Sequence, residues 1–230
     1  MSETGEWLRH VHQTLLRDFG PQNWWPGGSG FEMMVGAILT QSVAWTNVEK
    51  AIANLKESGV LTPSALREIP TDRLAELVRP SGYYRAKAVK IQALAQHLDR
   101  YGDDLDGLFD QDLESLRAEL LSIHGVGEET ADAIILYAAQ KPSFVVDAFT
   151  VRILGRLDLA PPSTGYGAYK AWFEEHLPRD VEMFSEYHAL LVRLGKDFCR
   201  KKPTCPPCPL LSLCPTGQAA SQSETPQKPA

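Results

Sequence analysis

Outside residues 199–214 the chain has no cysteine, and within that window it has four. A disulfide framework spreads its cysteines through a small secreted chain, so this distribution excludes one. Long apolar runs are missing too. No stretch approaches the roughly 20 apolar residues that a membrane span needs, so no membrane association is expected. The first residues, Met1-Ser-Glu-Thr-Gly-Glu, are acidic and lack a signal-peptide pattern, which predicts a cytosolic protein. Positive charge is not in excess: 23 Lys and Arg stand against 29 Asp and Glu, a formal charge of −6. That balance excludes a uniformly basic nucleic-acid binder and leaves room for a local basic patch. No hairpin turn is flanked by alternating strands, no internal repeat occurs, and no long apolar heptad suggests a dimer. These absences predict an all-α monomer.

What remains is a chain of 230 residues, 43% hydrophobic and 23% charged, long enough for one large or two small domains with a real core. Helical spacing of Trp7, Leu8, Val11, Leu15 and Leu16 predicts a helix over 5–19, ended by Gly20-Pro21. A turn-rich loop over 21–30 carries two adjacent tryptophans, Trp24 and Trp25. Ser29-x-x-Glu32 has the capping-box spacing, and the helix it opens, Met33 to Leu39, is apolar enough to be a buried central helix. Further helices are expected at 44–57, 63–68 and 71–78, from a turn over 81–87 to about Arg100, and over 111–121, 127–140, 147–157, 166–176 and 180–198. Residues 103–110 read as acidic loop or short helix. From Pro215 onward there is too little apolar surface to offset ordering entropy, so 215–230 is expected to be disordered.

Three stretches carry chemistry. The first is Ile123-His124-Gly125-Val126-Gly127, which joins two helical stretches. Its glycines permit a tight turn and leave N–H groups bare at the start of the second helix, where a DNA phosphate would fit. An ordinary helix–turn–helix corner has the same glycines. The second is Val146-Asp147, where an acid precedes a helix: it suits a catalytic carboxylate, and it equally suits an N-cap. The third is Cys199-x5-Cys205-x2-Cys208-x5-Cys214, four thiolates that either Zn²⁺ or a [4Fe–4S] cluster could use. Its first loop holds Arg200, Lys201 and Lys202, and residues 193–202 add Arg193 and Lys196 against one acid, Asp197. That run is either a phosphate-binding patch or a solvated helix end.

Leu120-x-x-Ile-x-Gly-Val-Gly-x-x-Thr-Ala followed by Val-Val-Asp-Ala-Phe-Thr-Val-Arg-Ile resembles the helix-hairpin-helix, Gly/Pro-rich loop and Asp of the endonuclease III superfamily of DNA glycosylases. The likeness runs from about residue 5 to residue 214. It implies an all-α fold of two helical lobes: a six-helix barrel domain over 22–141, and a second lobe in which the N-terminal helix (1–21) packs with 142–214. Between them it implies a DNA-binding cleft, with the hairpin and Asp147 facing each other across its mouth. The Pro-containing loop is Lys141-Pro142-Ser143, and Asp147 is the catalytic carboxylate. The cysteines become ligands of a [4Fe–4S] cluster rather than zinc, with one departure: the family commonly has six residues between its first two cysteines, and here there are five. The partner implied is double-stranded DNA containing a damaged base, and the place a prokaryotic cytoplasm, at the nucleoid.

The same resemblance assigns finer roles. Bifunctional members use a Lys, in Gly-Val-Gly-x-Lys-Thr-Ala, to form a Schiff base and cut the strand. Here that position is Glu129, which cannot do so. A monofunctional glycosylase using water is therefore expected, with no AP-lyase activity and with Glu129 either lining the pocket or sitting in a helix turn that favours acids. Trp24, Trp25 and Trp45 occur where a subgroup similar to 3-methyladenine DNA glycosylase III places aromatic pocket residues; tryptophans near a helix start are as often core anchors. Cationic N-alkylated purines stack well on electron-rich rings. That subgroup lacks the cysteine loop, so the chain looks like a hybrid. A base in a duplex must be flipped out to react. Gln41 aligns with the residue that fills the vacated gap; the hairpin residues His124, Gly125, Val126 and Gly127, with Arg200, Lys201 and Lys202, are the expected DNA contacts, and Arg85 and Lys87 are further candidates. Two other readings compete: an endonuclease III-like oxidised-pyrimidine glycosylase with weak lyase activity from some other amine, and a non-catalytic iron–sulfur protein that binds damage without excising it.

Overall fold

A computed structural model of the chain describes residues 2–24 and 28–223, and among them it contains thirteen α-helices and no strand. In chain order they are α1 (Glu3–Phe19), α2 (Gly30–Leu39), α3 (Trp45–Glu57), α4 (Pro63–Glu68), α5 (Thr71–Leu77), α6 (Tyr84–Leu98), α7 (Leu105–Phe109), α8 (Leu113–Ser122), α9 (Glu128–Ala133), α10 (Ala148–Leu157), α11 (Tyr166–His176), α12 (Val181–Asp197) and α13 (Pro215–Ser223). The fold is all-α, as the periodicity predicts. The chain divides into two compact units, one of residues 25–143 and one joining 1–24 to 144–230.

In the unit of residues 25–143, α2 is apolar on every side because every side is covered: Phe31, Met34, Val35, Ile38 and Leu39 are all buried. Val48, Ile52 and Leu55 of α3, Leu66 of α4, Leu74 of α5, Ile91, Leu94 and Leu98 of α6, and Leu116 and Leu120 of α8 complete one core with it. Half of the expected capping box forms. Ser29 Oγ accepts the Glu32 N–H at 3.2 Å, while the Glu32 carboxylate pairs with Lys56 of α3 at 2.7 Å. After Ala133 the helix continues over Ile134–Ala138 with π-helical pairing. Such a widened turn often sits beside functional residues.

The other unit is organised on aromatic packing. Phe144 stacks on Phe173 of α11 with ring centroids 3.8 Å apart, and Phe184 and Tyr187 of α12 meet it edge-on. Tyr187 also donates its hydroxyl to Leu8 O of α1 at 2.8 Å, tying α1 to α12. Helices α10 and α12 approach closely at Gly195, where a Cβ would stand 2.2 Å from the Phe149 ring. Only glycine allows that crossing.

The first part of the tail departs from expectation, and 224–230 lie outside the described residues. Residues 215–223 are helical, because Thr216 Oγ1 donates to Arg156 O at 3.0 Å and Gly217 N–H donates to Cys214 Sγ at 3.3 Å. Composition reads the segment as isolated polar chain, whereas local hydrogen bonds to α10 and the cysteine loop order it.

Candidate active site and DNA-contacting surfaces

Asp147 caps α10. Its Oδ1 accepts the Thr150 N–H at 2.7 Å and the Thr150 hydroxyl at 2.9 Å. The capping reading is therefore realised, yet it uses only one carboxylate oxygen. Oδ2 lies 3.8 Å from Nε2 of His188, a side chain 7% exposed in the middle of α12. Burial pushes the Asp147 carboxyl upward, but His188 and the two Thr150 donors outweigh it, and the net direction is below the usual carboxylate range. The result is a nearly buried carboxylate that stays ionised, with one oxygen fixed and one turned to His188.

Trp24 stacks on the other member of this pair. Its ring lies 5.4 Å from the His188 ring at an interplanar angle of 30°, and Lys196 Nζ stands 5.7 Å from the indole. This indole already receives a cation. Trp25 lies outside the described residues. Trp45 is half-buried against the core of its own unit, which gives it an anchoring role there.

The hairpin is held by hydrogen bonds that the sequence did not reveal. Gln41 Nε2 donates to Gly125 O and to Thr130 Oγ1, both at 3.0 Å, and Lys90 Nζ donates to Gln41 Oε1 at 2.6 Å. Filling a gap in DNA would cost Gln41 all three bonds; in this structure it braces the turn. Gln41, Lys90 and residues 125–130 line a shallow, open depression. His124, Gly127 and Glu129 are exposed, while the Val126 side chain is buried at 6%, so any contact from Val126 comes from its backbone.

The two glycines of the turn have different reasons. Gly125 has φ +86°, and a Cβ there would stand 2.2 Å from Lys90 Cγ. Gly127 has φ −95° and ψ −178°, extended backbone open to any residue, with nothing within 4 Å of a Cβ. Of the two, only Gly125 needs an unusual backbone angle. Gly125→Ala is expected to lower stability by about 1–3 kcal/mol through backbone strain, and Gly127→Ala to leave the melting temperature almost unchanged. Thermal melts of the two variants check this directly.

Lys87 is not a phosphate ligand. It is 2% exposed, and Nζ donates to Leu39 O at 2.8 Å and Ser81 O at 2.6 Å. Burial, helped by the charge of Lys90, pushes its amine down to about 8. Exposure falls instead on Tyr83, 76% accessible and at φ 45°, and at its neighbour Tyr84 the guanidinium carbons of Arg79 and Arg85 lie 5.8 and 5.9 Å from the ring. An exposed aromatic held in left-handed backbone, next to a tyrosine whose ring two arginines flank, has the make-up of a nucleic-acid contact. Sequence reasoning missed it, although an aromatic after Gly82 in a basic turn was the available signal.

Cys199, Cys205, Cys208 and Cys214 line one recess with Arg156, Phe198, Pro203, Thr204, Leu211, Thr216 and Gly217, and none of the four is in a disulfide. Arg156 Nη1 donates to Cys199 Sγ at 3.1 Å. Burial, together with the other three cysteines, pushes the Cys208 thiol up to about 11. Among the described residues, no group of three or more His, Cys, Asp or Glu closes to the spacing of a metal site. In the basic run, Arg193 is committed to Phe19 O at 2.9 Å and to the Phe19 ring at 4.6 Å. Arg200, Lys201 and Lys202 are exposed.

The family model for HhH-GPD superfamily base excision DNA repair proteins matches residues 35–179, a span that runs through the hairpin and Asp147. The chain belongs to that superfamily. It is 44% identical over 211 residues to "Putative DNA repair glycosylase MJ1434" of Methanocaldococcus jannaschii, covering 91% of this chain and 96% of that one. It is 30% identical over 186 residues to endonuclease III of Thermotoga maritima, covering 80% and 82%. Among solved structures, an endonuclease III–DNA complex superimposes with a TM-score of 0.82 at 26% identity, covering 96% of this chain and 100% of that one. The H. pylori 3-methyladenine DNA glycosylase bound to 1,N6-ethenoadenine gives 0.73 at 26%, covering 85% and 98%. This HhH-GPD protein is thus a DNA glycosylase of base excision repair, with DNA as its partner. No helix among its described residues is long and apolar enough to cross a membrane.

Proposed function

We propose that this glycosylase is monofunctional and releases N-alkylated purines, with water as the nucleophile. The observation that carries the reading is Asp147: a nearly buried carboxylate kept ionised, with Oδ1 tied to Thr150. As the C1′–N bond breaks, its electron pair leaves with the base, and a base that starts as a cation departs neutral. A carboxylate beside the sugar stabilises the positive charge left behind and takes the proton of the attacking water. Trp24 supports the choice of base, because an electron-rich indole suits a cationic purine. The likeness to a relative seen with 1,N6-ethenoadenine points the same way. Glu129, exposed in the first turn of α9, supports hydrolysis over strand cutting, since a carboxylate forms no Schiff base.

One observation favours the oxidised-pyrimidine reading with weak lyase activity: the Lys90 amine lines the same depression as Glu129. A panel of lesion-containing duplexes, assayed with and without alkali and with borohydride present, separates the two. Base release from methylated DNA, strand cuts only after alkali, and no borohydride-trapped adduct is the expected result. Efficient trapping that vanishes in Lys90→Gln would establish the second reading instead.

In the same reading, Cys199, Cys205, Cys208 and Cys214 hold a [4Fe–4S] cluster. The donor set is of the right kind and number: four thiols line one recess, and N–H groups of Arg156 and Gly217 already point at two of the sulfurs. Bound iron would supply the positive charge that four crowded thiolates need. The loop between the first two ligands then presents Arg200, Lys201 and Lys202 to phosphates. Lys201→Ala with Lys202→Ala should weaken DNA binding and flatten its log–log salt dependence by roughly 0.9 for each phosphate no longer neutralised. Titrations at several salt concentrations measure that slope, and an unaltered slope would remove the loop from the interface.

A further inference from the structure

We propose that His188 is a positioning residue for Asp147, holding Oδ2 in place while Thr150 holds Oδ1. The inference rests on the reading of Asp147 as the catalytic carboxylate and assigns the group that orients it. Three observations converge on His188. Its Nε2 is 3.8 Å from Asp147 Oδ2, close enough for charge to act and for a small shift to make a hydrogen bond. Its ring is 7% exposed and lies against Trp24, which limits rotation about its side-chain bonds. Its backbone belongs to the middle of α12, a 17-residue helix fixed by buried Phe184, Tyr187, Leu190, Leu191 and Leu194. A group on a loop would wander; this one is delivered by a firmly packed helix.

The consequence for Asp147 is geometric. With only Thr150 bound, the carboxylate could swing about Oδ1 and present Oδ2 over a range of directions. With His188 on the second oxygen, the plane of the carboxylate is set before DNA arrives, which is the pre-organisation a developing sugar cation requires. Trp24 then has two duties, since the ring proposed to meet the base also backs the imidazole. Other titratable or charged groups stand on the elements packed around the pair. Lys196 of α12 faces Trp24, His12 of α1 lies 5.0 Å from the Tyr187 ring, and Glu186 of α12 accepts the Gln22 N–H at 2.7 Å. The partners that oppose burial at Asp147 itself are His188 and Thr150.

The test compares His188→Gln, His188→Asn and Asp147→Asn in the full chain, by single-turnover base release from methylated duplex DNA across pH. In both His188 variants the rate should fall roughly ten- to a hundredfold, the cost of a misplaced reacting group, with DNA affinity and melting temperature close to wild type. The acid limb of the rate profile should also move to higher pH. Without His188, burial of Asp147 is opposed by Thr150 alone, so its carboxyl titrates higher. A rate loss that instead tracks weaker DNA binding or a lower melting temperature, with the acid limb unmoved, would overturn the proposal and leave His188 as packing beneath Trp24. Wild-type rates in both His188 variants, with Asp147→Asn inactive, would also overturn it. Activity in Asp147→Asn would be the separate failure of the reading on which it rests.

Discussion

Asp147→Asn is expected to fold, to bind lesion-containing DNA as the wild type does, and to release base some 10²–10⁴ times more slowly, the usual worth of a positioned acid–base group. The substitution separates the residue's two duties. The cap depends on Oδ1, which accepts the Thr150 N–H at 2.7 Å and its hydroxyl at 2.9 Å. Asparagine offers the same oxygen in the same place and caps helices about as well as aspartate. What disappears is the charge. The neutral amide can neither steady a sugar cation nor accept a proton from water. Folding should register the change at neutral pH, and the difference should vanish in acid. The wild-type carboxyl is held below its ordinary range, so its contribution to stability is present above the unfolded value and is lost as pH falls through the folded one. The Asn variant lacks that step. Three measurements suffice: single-turnover release, affinity for the same duplex, and an acid-unfolding curve. Release within a few-fold of wild type would reduce Asp147 to a helix cap and return the non-catalytic reading to first place.

The parts of the molecule legible in the sequence are those set by short-range physics. Helix α2 announces itself by an apolar run behind Ser29, and α10 by an acid before an amphipathic stretch; capping and burial are decided within a few residues. The hairpin turn can be seen, but the reasons for its two glycines cannot. At Gly125 the left-handed backbone at φ +86° is joined by a neighbouring side chain, Lys90, which lies 35 residues away in α6. Gln41 illustrates the same limit. As a polar residue after an apolar helix it looks free to enter DNA, whereas partners 84 and 89 residues downstream engage it. Lys87 reads as surface charge and is buried, because carbonyls at Leu39 and Ser81 await a donor there. His188 leaves no trace at all: one histidine in an amphipathic helix means nothing until Asp147 and Trp24 are placed beside it. Fold follows from periodicity and caps, while the site is built from contacts that cross the sequence.

Loss of Arg117 should be among the most destabilising single changes in the unit that carries the hairpin. Asp132 in α9 is fully buried, and Arg117 in α8 meets it with Nε at 2.9 Å and Nη2 at 3.1 Å, a two-pronged pairing that locks the two hairpin helices together. Ser143 Oγ adds a bond to the same carboxylate at 2.7 Å, tying down the end of the Lys141-Pro142-Ser143 loop. Arg117→Ala removes the cation and leaves the buried anion, a change that typically costs about 3–5 kcal/mol. Deleting both charges is a different matter. Arg117→Met with Asp132→Leu exchanges a desolvated pair for apolar volume, and such replacements are often neutral in stability. Denaturant melts of the single and double variants should therefore be strongly non-additive, the double variant recovering most of what Arg117→Ala loses. Function should not recover with it. The pair fixes the angle at which α8 delivers the turn to α9 and holds Ser143, so a stable Met/Leu variant is expected to bind DNA more weakly than wild type. Equal affinity in that variant would show that apolar packing alone sets the hairpin, and that the buried ion pair contributes only to holding the fold.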